Sequence, residues 1–120
     1  MNTPLPRTGL QLRSKIDRNG QLELSLLSVG LPAPASAEVL IHIQAAPINP
    51  SDIGLLFGAA DLRALTASGT AALPVVTAPV PAGAMKAMAG RLDQSLPVGN
   101  EGAGVVVAAV GEGYCFLIDG

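Results

Sequence analysis

Pro97-Val-Gly-Asn-Glu-Gly-Ala-Gly-Val-Val-Val-Ala-Ala-Val-Gly-Glu-Gly113 sets one carboxylate, Glu101, in a glycine-rich turn that feeds straight into a β-branched apolar strand. A second glycine pair, Gly111 and Gly113, closes that strand. The unbroken apolar run Val105–Val110 predicts a strand covered on both faces. The order of elements excludes two phosphate-binding readings of the glycines. In a dinucleotide fingerprint a strand precedes the glycines and a helix follows, so that the helix N-terminus faces the pyrophosphate. Here Gly99, Gly102 and Gly104 precede a strand, and their spacing is not Gly-x-Gly-x-x-Gly. A Walker-type loop is excluded because no Gly-Lys-Ser/Thr occurs. The plain reading is that these glycines supply a tight turn and close backbone approach.

Upstream, Glu38 to Ala46 gives the clearest alternation in the chain. Val39, Ile41, Ile43 and Ala45 fall on one face, Glu38, His42 and Gln44 on the other, and only Leu40 breaks the pattern. The segment Pro47-Ile-Asn-Pro-Ser-Asp52 then switches the chain from strand to helix. Asn49 suits the N-cap and Pro50 the first helical position. Asp52 falls at the third, where a carboxylate favours the free amides and the positive dipole end. A short helix is expected from Pro50 to about Phe57, stopped by Gly58. Capping alone accounts for Asn49 and Asp52, yet a strand-to-helix switch is also a common place for binding groups, which keeps Asn49, Ser51 and Asp52 as candidates.

The remaining segments are short. Gln11–Ile16 and Gln21–Leu27 flank Asp17-Arg-Asn-Gly20, and Asn-Gly between strand-like runs predicts a hairpin because both residues tolerate positive φ. Gly30-Leu-Pro-Ala-Pro-Ala-Ser36 reads as a loop. Asp61–Ala67, ended by Ser68-Gly69, reads as a helical turn or two. Leu73–Pro81, with three prolines around Val75-Val-Thr77, reads as an extended connection at a sheet edge. Pro81–Ala89 reads as helical, with Met85, Met88 and Leu92 forming an apolar stripe that belongs to a core rather than to a cofactor box. Short strands, few long helices and no βαβ rhythm predict a mainly β domain with short helices, as a barrel or curled sheet.

Composition narrows the function classes. At 120 residues the chain affords one core, built from Leu, Val, Ile and Ala because aromatic residues make up only 2%. Charged residues are 13%, against about 25% in an average soluble domain, which points to surface that expects a partner. A net charge of −2 without Lys/Arg clusters argues against nucleic acid. No signal-peptide core and no run near 20 apolar residues is present, so the expectation is a cytoplasmic protein without a membrane role. The single cysteine, Cys115, excludes an internal disulfide and a multi-cysteine zinc site, and an inert buried thiol is its default. His42, on the polar face of its strand, is expected to be a solvated histidine. Glu101, inside the glycine turn, could orient a ligand or receive backbone amides.

Residues 38–54, Glu-Val-Leu-Ile-His-Ile-Gln-Ala-Ala-Pro-Ile-Asn-Pro-Ser-Asp-Ile-Gly, resemble the strand-to-helix segment of the medium-chain dehydrogenase/reductase superfamily. Residues 97–111 resemble its Gly-x-Glu-x-x-Gly-x-Val turn and strand. The resemblance implies a GroES-like, partly open β-barrel. Zinc-dependent members carry a cysteine ligand where Asn49 stands and a histidine ligand where Asn100 stands. Amides do not replace thiolate and imidazole at zinc, so the chain is similar to the zinc-independent quinone oxidoreductase and enoyl reductase branch, with no metal. By position the resemblance puts Asn49 near the nicotinamide of NADPH and Ser51 at the substrate. Asp52, Gly99, Asn100, Glu101 and Gly102 become supporting or structural residues of the two turns.

Two expectations follow. In the first, residues 1–120 are an incomplete GroES-like catalytic domain of an NADPH-dependent oxidoreductase that reduces quinones or enoyl compounds by hydride transfer. The Rossmann domain is absent, so this chain is inactive alone and does not bind NADPH alone, and it has no catalytic residue of its own. In the second, it is a non-enzymatic GroES-like module that self-associates through exposed strand edges.

Overall fold

The computed structural model describes residues 8–111 and 114–117, with side chains through Ala109. Met1–Arg7, Gly113, the thiol of Cys115 and the tail from Ile118 lie outside the described residues. Among the described residues eight strands, one α-helix and two 3₁₀ segments follow in order: β1 (Thr8–Ile16), β2 (Gln21–Gly30), β3 (Val39–Ala45), α1 (Pro50–Phe57), a 3₁₀ turn (Leu62–Ala64), β4 (Thr66–Gly69), β5 (Pro74–Pro79), a 3₁₀ segment (Ala82–Arg91), β6 (Leu96–Pro97), β7 (Ala103–Gly111) and β8 (Tyr114–Leu117). The protein is mainly β with short helices, as composition and pattern predict. Its strands form two antiparallel sheets and not a closed barrel: β4-β5-β2-β1-β6, and β3-β7-β8.

Backbone contacts divide the chain into two units. One comprises Thr8–Gly9, Val29–Pro47 and the described residues from Asn100 on; the other comprises Leu10–Ser28 and Ile48–Gly99. The second unit holds the core. Ile16 and Leu22 are fully buried, joined by Ala78 and Val80, and Leu24, Phe57, Met85, Met88 and Leu92 pack against them. Met85, Met88 and Leu92 are thus core residues, as the stripe predicts. Their segment is 3₁₀ rather than α, so three residues make a turn and Arg91 joins the row of Met85 and Met88.

The hairpin between β1 and β2 forms at the expected place with a different turn. Gly20 donates to the Asp17 carbonyl at 3.1 Å and Asp17 donates to the Gln21 carbonyl at 3.0 Å. Only Gly20 has positive φ, at 86°, so the loop has three residues with glycine in the left-handed position, not a two-residue Asn-Gly turn. The Asp17 carboxylate explains the preference, because its Oδ1 accepts from the amides of Asn19 and Gln21.

Three expectations fail in instructive ways. Thr66 and Ala67, expected to be helical, form β4, because the helical turn closes at Ala64 and β5 offers a ladder pairing Thr66 with Thr77 and Gly69 with Pro74. The segment around Val75–Thr77 is not at a sheet edge: β5 lies between β4 and β2. Its prolines sit at the first and last strand positions, where a missing donor costs least. Third, β7 is only partly covered. Among its described side chains Val105, Val106, Val107 and Ala109 are half-buried and Ala108 is fully buried.

Candidate functional site

The second unit carries Asn49, Ser51, Asp52 and Gly99; the first carries Asn100, Glu101 and Gly102. The structure therefore gathers the candidates in two groups.

Helix α1 spans the expected Pro50–Phe57, with Asn49 as N-cap in extended conformation. The Asp52 carboxylate reaches back and accepts from the Asn49 amide at 2.8 Å, while the Asp52 amide donates to the Asn49 carbonyl at 3.0 Å. This is the carboxylate half of a capping box, and it engages Asp52 in holding the helix start. Ser51 is exposed and Asn49 half-buried.

Where β3 ends and β7 begins, the first unit opens a cleft of about 390 Å³ lined by Ala45, Ala46, Pro47, Glu101, Gly102 and Ala103. The antiparallel register explains why these two stretches meet: Ile43 pairs with Gly104 and Ala45 with Ala103. A Cβ on Gly104 would overlap the His42 carbonyl oxygen and lie 2.8 Å from the Ile43 Cα, so only glycine admits this approach of the strands. A Cβ on Gly102 would stand 3.2 Å from Ile43 Cδ1. Gly99 turns the chain ahead of this stretch with φ of 94°. The glycines thus serve turn and close approach. Glu101, exposed at the cleft, is its one ionisable lining residue, and Asn100 beside it is exposed too. His42 is exposed, as expected of a solvated histidine.

These residues do not fit the pyrophosphate of NADPH. The glycine turn leads into a strand, the cleft beside it carries a carboxylate, and the start of α1 pairs a proline without a donor with the Asp52 carboxylate. Among the described residues no group of three His, Cys, Asp or Glu side chains gathers as a metal site would require. A second hollow of about 250 Å³, beside Gly20, Thr66 and Thr77, has no ionisable lining residue.

Sequence reasoning missed the polar cluster at the other end of α1. Arg91 Nη1 donates to the Leu55 carbonyl at 2.8 Å and Nη2 to Ser14 Oγ at 2.9 Å, while Ser14 Oγ donates to the Leu56 carbonyl at 2.7 Å. Leu55 and Leu56 are last-turn residues whose carbonyls lack helical partners, and a cation there also meets the negative dipole end. Ser14 is fully buried and the Arg91 Nε is buried without a partner; desolvation pulls the guanidinium below its usual pKa. Arg91 is 36 residues from Leu55 and 77 from Ser14, so no local motif announces the cluster. The one available signal is an arginine following an apolar Met-x-x-Met row.

No protein-family model matches the chain, and no curated protein matches it at a significant level.

Proposed function

We propose that the chain is the GroES-like catalytic-domain portion of a zinc-independent, NADPH-dependent oxidoreductase of the medium-chain dehydrogenase/reductase superfamily, acting on quinones or enoyl compounds in the cytoplasm. The observation that carries the reading is the cleft at the junction of β3 and β7. The two stretches on which the resemblance rests meet there in register, with Glu101 on the rim. In this reading the chain supplies a pocket wall. Ala45, Ala46, Pro47 and Ala103 offer an apolar surface to a planar substrate, and Glu101 stands at its solvent rim. In the other unit, Asp52 holds the start of α1 and leaves the Ser51 side chain exposed. NADPH supplies the hydride in such an enzyme. Among the described residues no helix is long and apolar enough to cross a membrane.

The test is a titration of the full chain with a small quinone, followed by backbone NMR, alongside NADPH binding and turnover assays. Shifts confined to residues 45–47 and 101–103, with neither NADPH binding nor turnover, are expected. Turnover comparable to a complete reductase, or quinone shifts that avoid the cleft, overturns the reading.

A further inference from the structure

We infer that the outer edge of β3 is a homotypic pairing surface: two copies of the chain join antiparallel, β3 to β3, about a two-fold axis through Leu40. The inference is independent of the oxidoreductase reading.

Strand β3 ends the β3-β7-β8 sheet, and among the described residues no strand pairs with its outer side. Alternate residues of such a strand aim their amides and carbonyls outward, where a further strand satisfies them. Protein edges are usually guarded by lysine, proline or brevity. The seven residues of β3 include neither lysine nor proline. The β3/β7 ladder shifts register twice: between Leu40 and Ile41 the extra residue, Val107, lies on β7, and between Ile43 and Ala45 the extra residue, Gln44, lies near the end of β3, so Val39–Ile43 itself carries no inserted residue. The apolar residues of this stretch are also open: Val39, Ile41 and Ile43 are 50%, 43% and 53% exposed.

Charge pattern selects a second copy as the occupant. Glu38 and His42 are the only ionisable residues between 38 and 45, and Leu40 lies midway between them. A two-fold through Leu40 sets each copy's Glu38 opposite the other's His42, twice per dimer, with Val39 opposite Ile41 on the other face. Centring on Ile41 would oppose Glu38 with Gln44, and centring on His42 would oppose the two histidines. One register is therefore favoured over its neighbours. An imidazole keeps a ring N–H in either protonation state, so it donates to the carboxylate in both. Glu38 is pre-set for the contact: its Oε1 already accepts from the Ala35 amide at 2.8 Å, which holds the carboxylate while leaving acceptor capacity free. With one short strand per copy, the interface lies below the size of stable specific interfaces, and association is weak.

Sedimentation of the full chain across about 10 to 500 µM, the range suited to so small an interface, should show a monomer giving way to dimer. Glu38→Lys and His42→Glu should each weaken the association constant by about tenfold, because each changes two symmetric contacts, and the double variant E38K/H42E should recover it to within about threefold. Both positions are exposed, and the bond from the Ala35 amide to Glu38 is lost in E38K and in the double variant alike, so recovery by the double variant reports the contact between copies. Amides of β3 should gain hydrogen-exchange protection as concentration rises. A strict monomer, association indifferent to both single variants, failure of the double variant to recover, or β3 amides whose exchange ignores concentration would each overturn the inference. Quinone shifts at the cleft are unaffected by these outcomes, which separates the two proposals.

Discussion

The unit containing residues 48–99 is held by side chains, and the unit containing residues 29–47 by backbone. In the former, Ile16 and Leu22 lose all contact with solvent and seven partly buried hydrophobic residues pack around their cluster. In the latter, the described residue that reaches full burial is Ala108, and order comes from the β3/β7 ladder and the glycine approach at Gly104. Yet the more regular hydrophobic alternation belongs to β3, on the backbone-held side. Alternation establishes which side chains share a face; it does not establish that anything covers the face.

The contrast breaks most visibly under truncation of matched apolar residues. Leu22→Ala removes a fully buried side chain and should cost about 3 kcal/mol in denaturant unfolding. Ile43→Ala, on the open face of β3, should cost less than about 0.5 kcal/mol. Equal costs would mean that β3 is covered in solution and that the contrast is false. A methyl group added at Gly104 probes the other side. Gly104→Ala must push β3 from β7 or bend a strand, at about 2 kcal/mol, because the Cβ meets backbone that has no rotamer to give. Hydrogen exchange should show the loss at the amides of Ile41–Ile43 and Gly104–Val106; unchanged protection there would show that the close approach does not hold the ladder.

The polar cluster at the end of α1 gives a smaller effect. Arg91→Met keeps an unbranched apolar stem but leaves the Leu55 carbonyl without its donor, at about 1 to 2 kcal/mol for a partly exposed group. Arg91→Lys should recover only part of this, since one ammonium does not reproduce the guanidinium fork between Leu55 and Ser14. Full recovery by lysine would reduce the cluster to a point charge at a helix end.

Much of the local structure was legible because its causes are local. Asn49-Pro50 with Asp52 and Gly58 marked both ends of α1, and the Asp17–Gly20 turn announced a hairpin, although the Asp17 carboxylate and not Asn19 decided the turn type. What could not be read depended on partners distant in sequence. Thr66 and Ala67 became strand because β5 lay alongside, and Ser14 was buried because Arg91 arrived 77 residues later. At the candidate site, the glycine turn and Glu101 were legible as residues, while their meeting with Ala45–Pro47 required the antiparallel register of β3 and β7. The covering of faces was the least legible property, since it depends on whole surfaces and not on period.

The smallest effect expected is one of pH, in the side-chain-held unit. Asp61 caps the 3₁₀ turn at Leu62–Ala64, and its own amide donates to the Pro79 carbonyl at 2.8 Å, tying that turn to the end of β5. The Arg63 side chain, and after it the Arg63 amide, hydrogen-bonds the Asp61 carboxylate and holds its pKa below the ordinary 3.8. A carboxyl whose pKa is lower folded than unfolded adds stability that is fully present above the unfolded value and lost as pH falls through the folded one. The contribution should therefore persist at neutral pH and disappear below pH 3.8. Asp61→Asn keeps a capping oxygen while removing the charge, so wild type and variant should differ most near neutrality and converge in acid. The pair is exposed, so the difference should also shrink with salt. A gap between the two proteins that stays constant from pH 7 to acid would show that Asp61 acts as a cap alone, and that even here the backbone, rather than the ion pair, holds the turn.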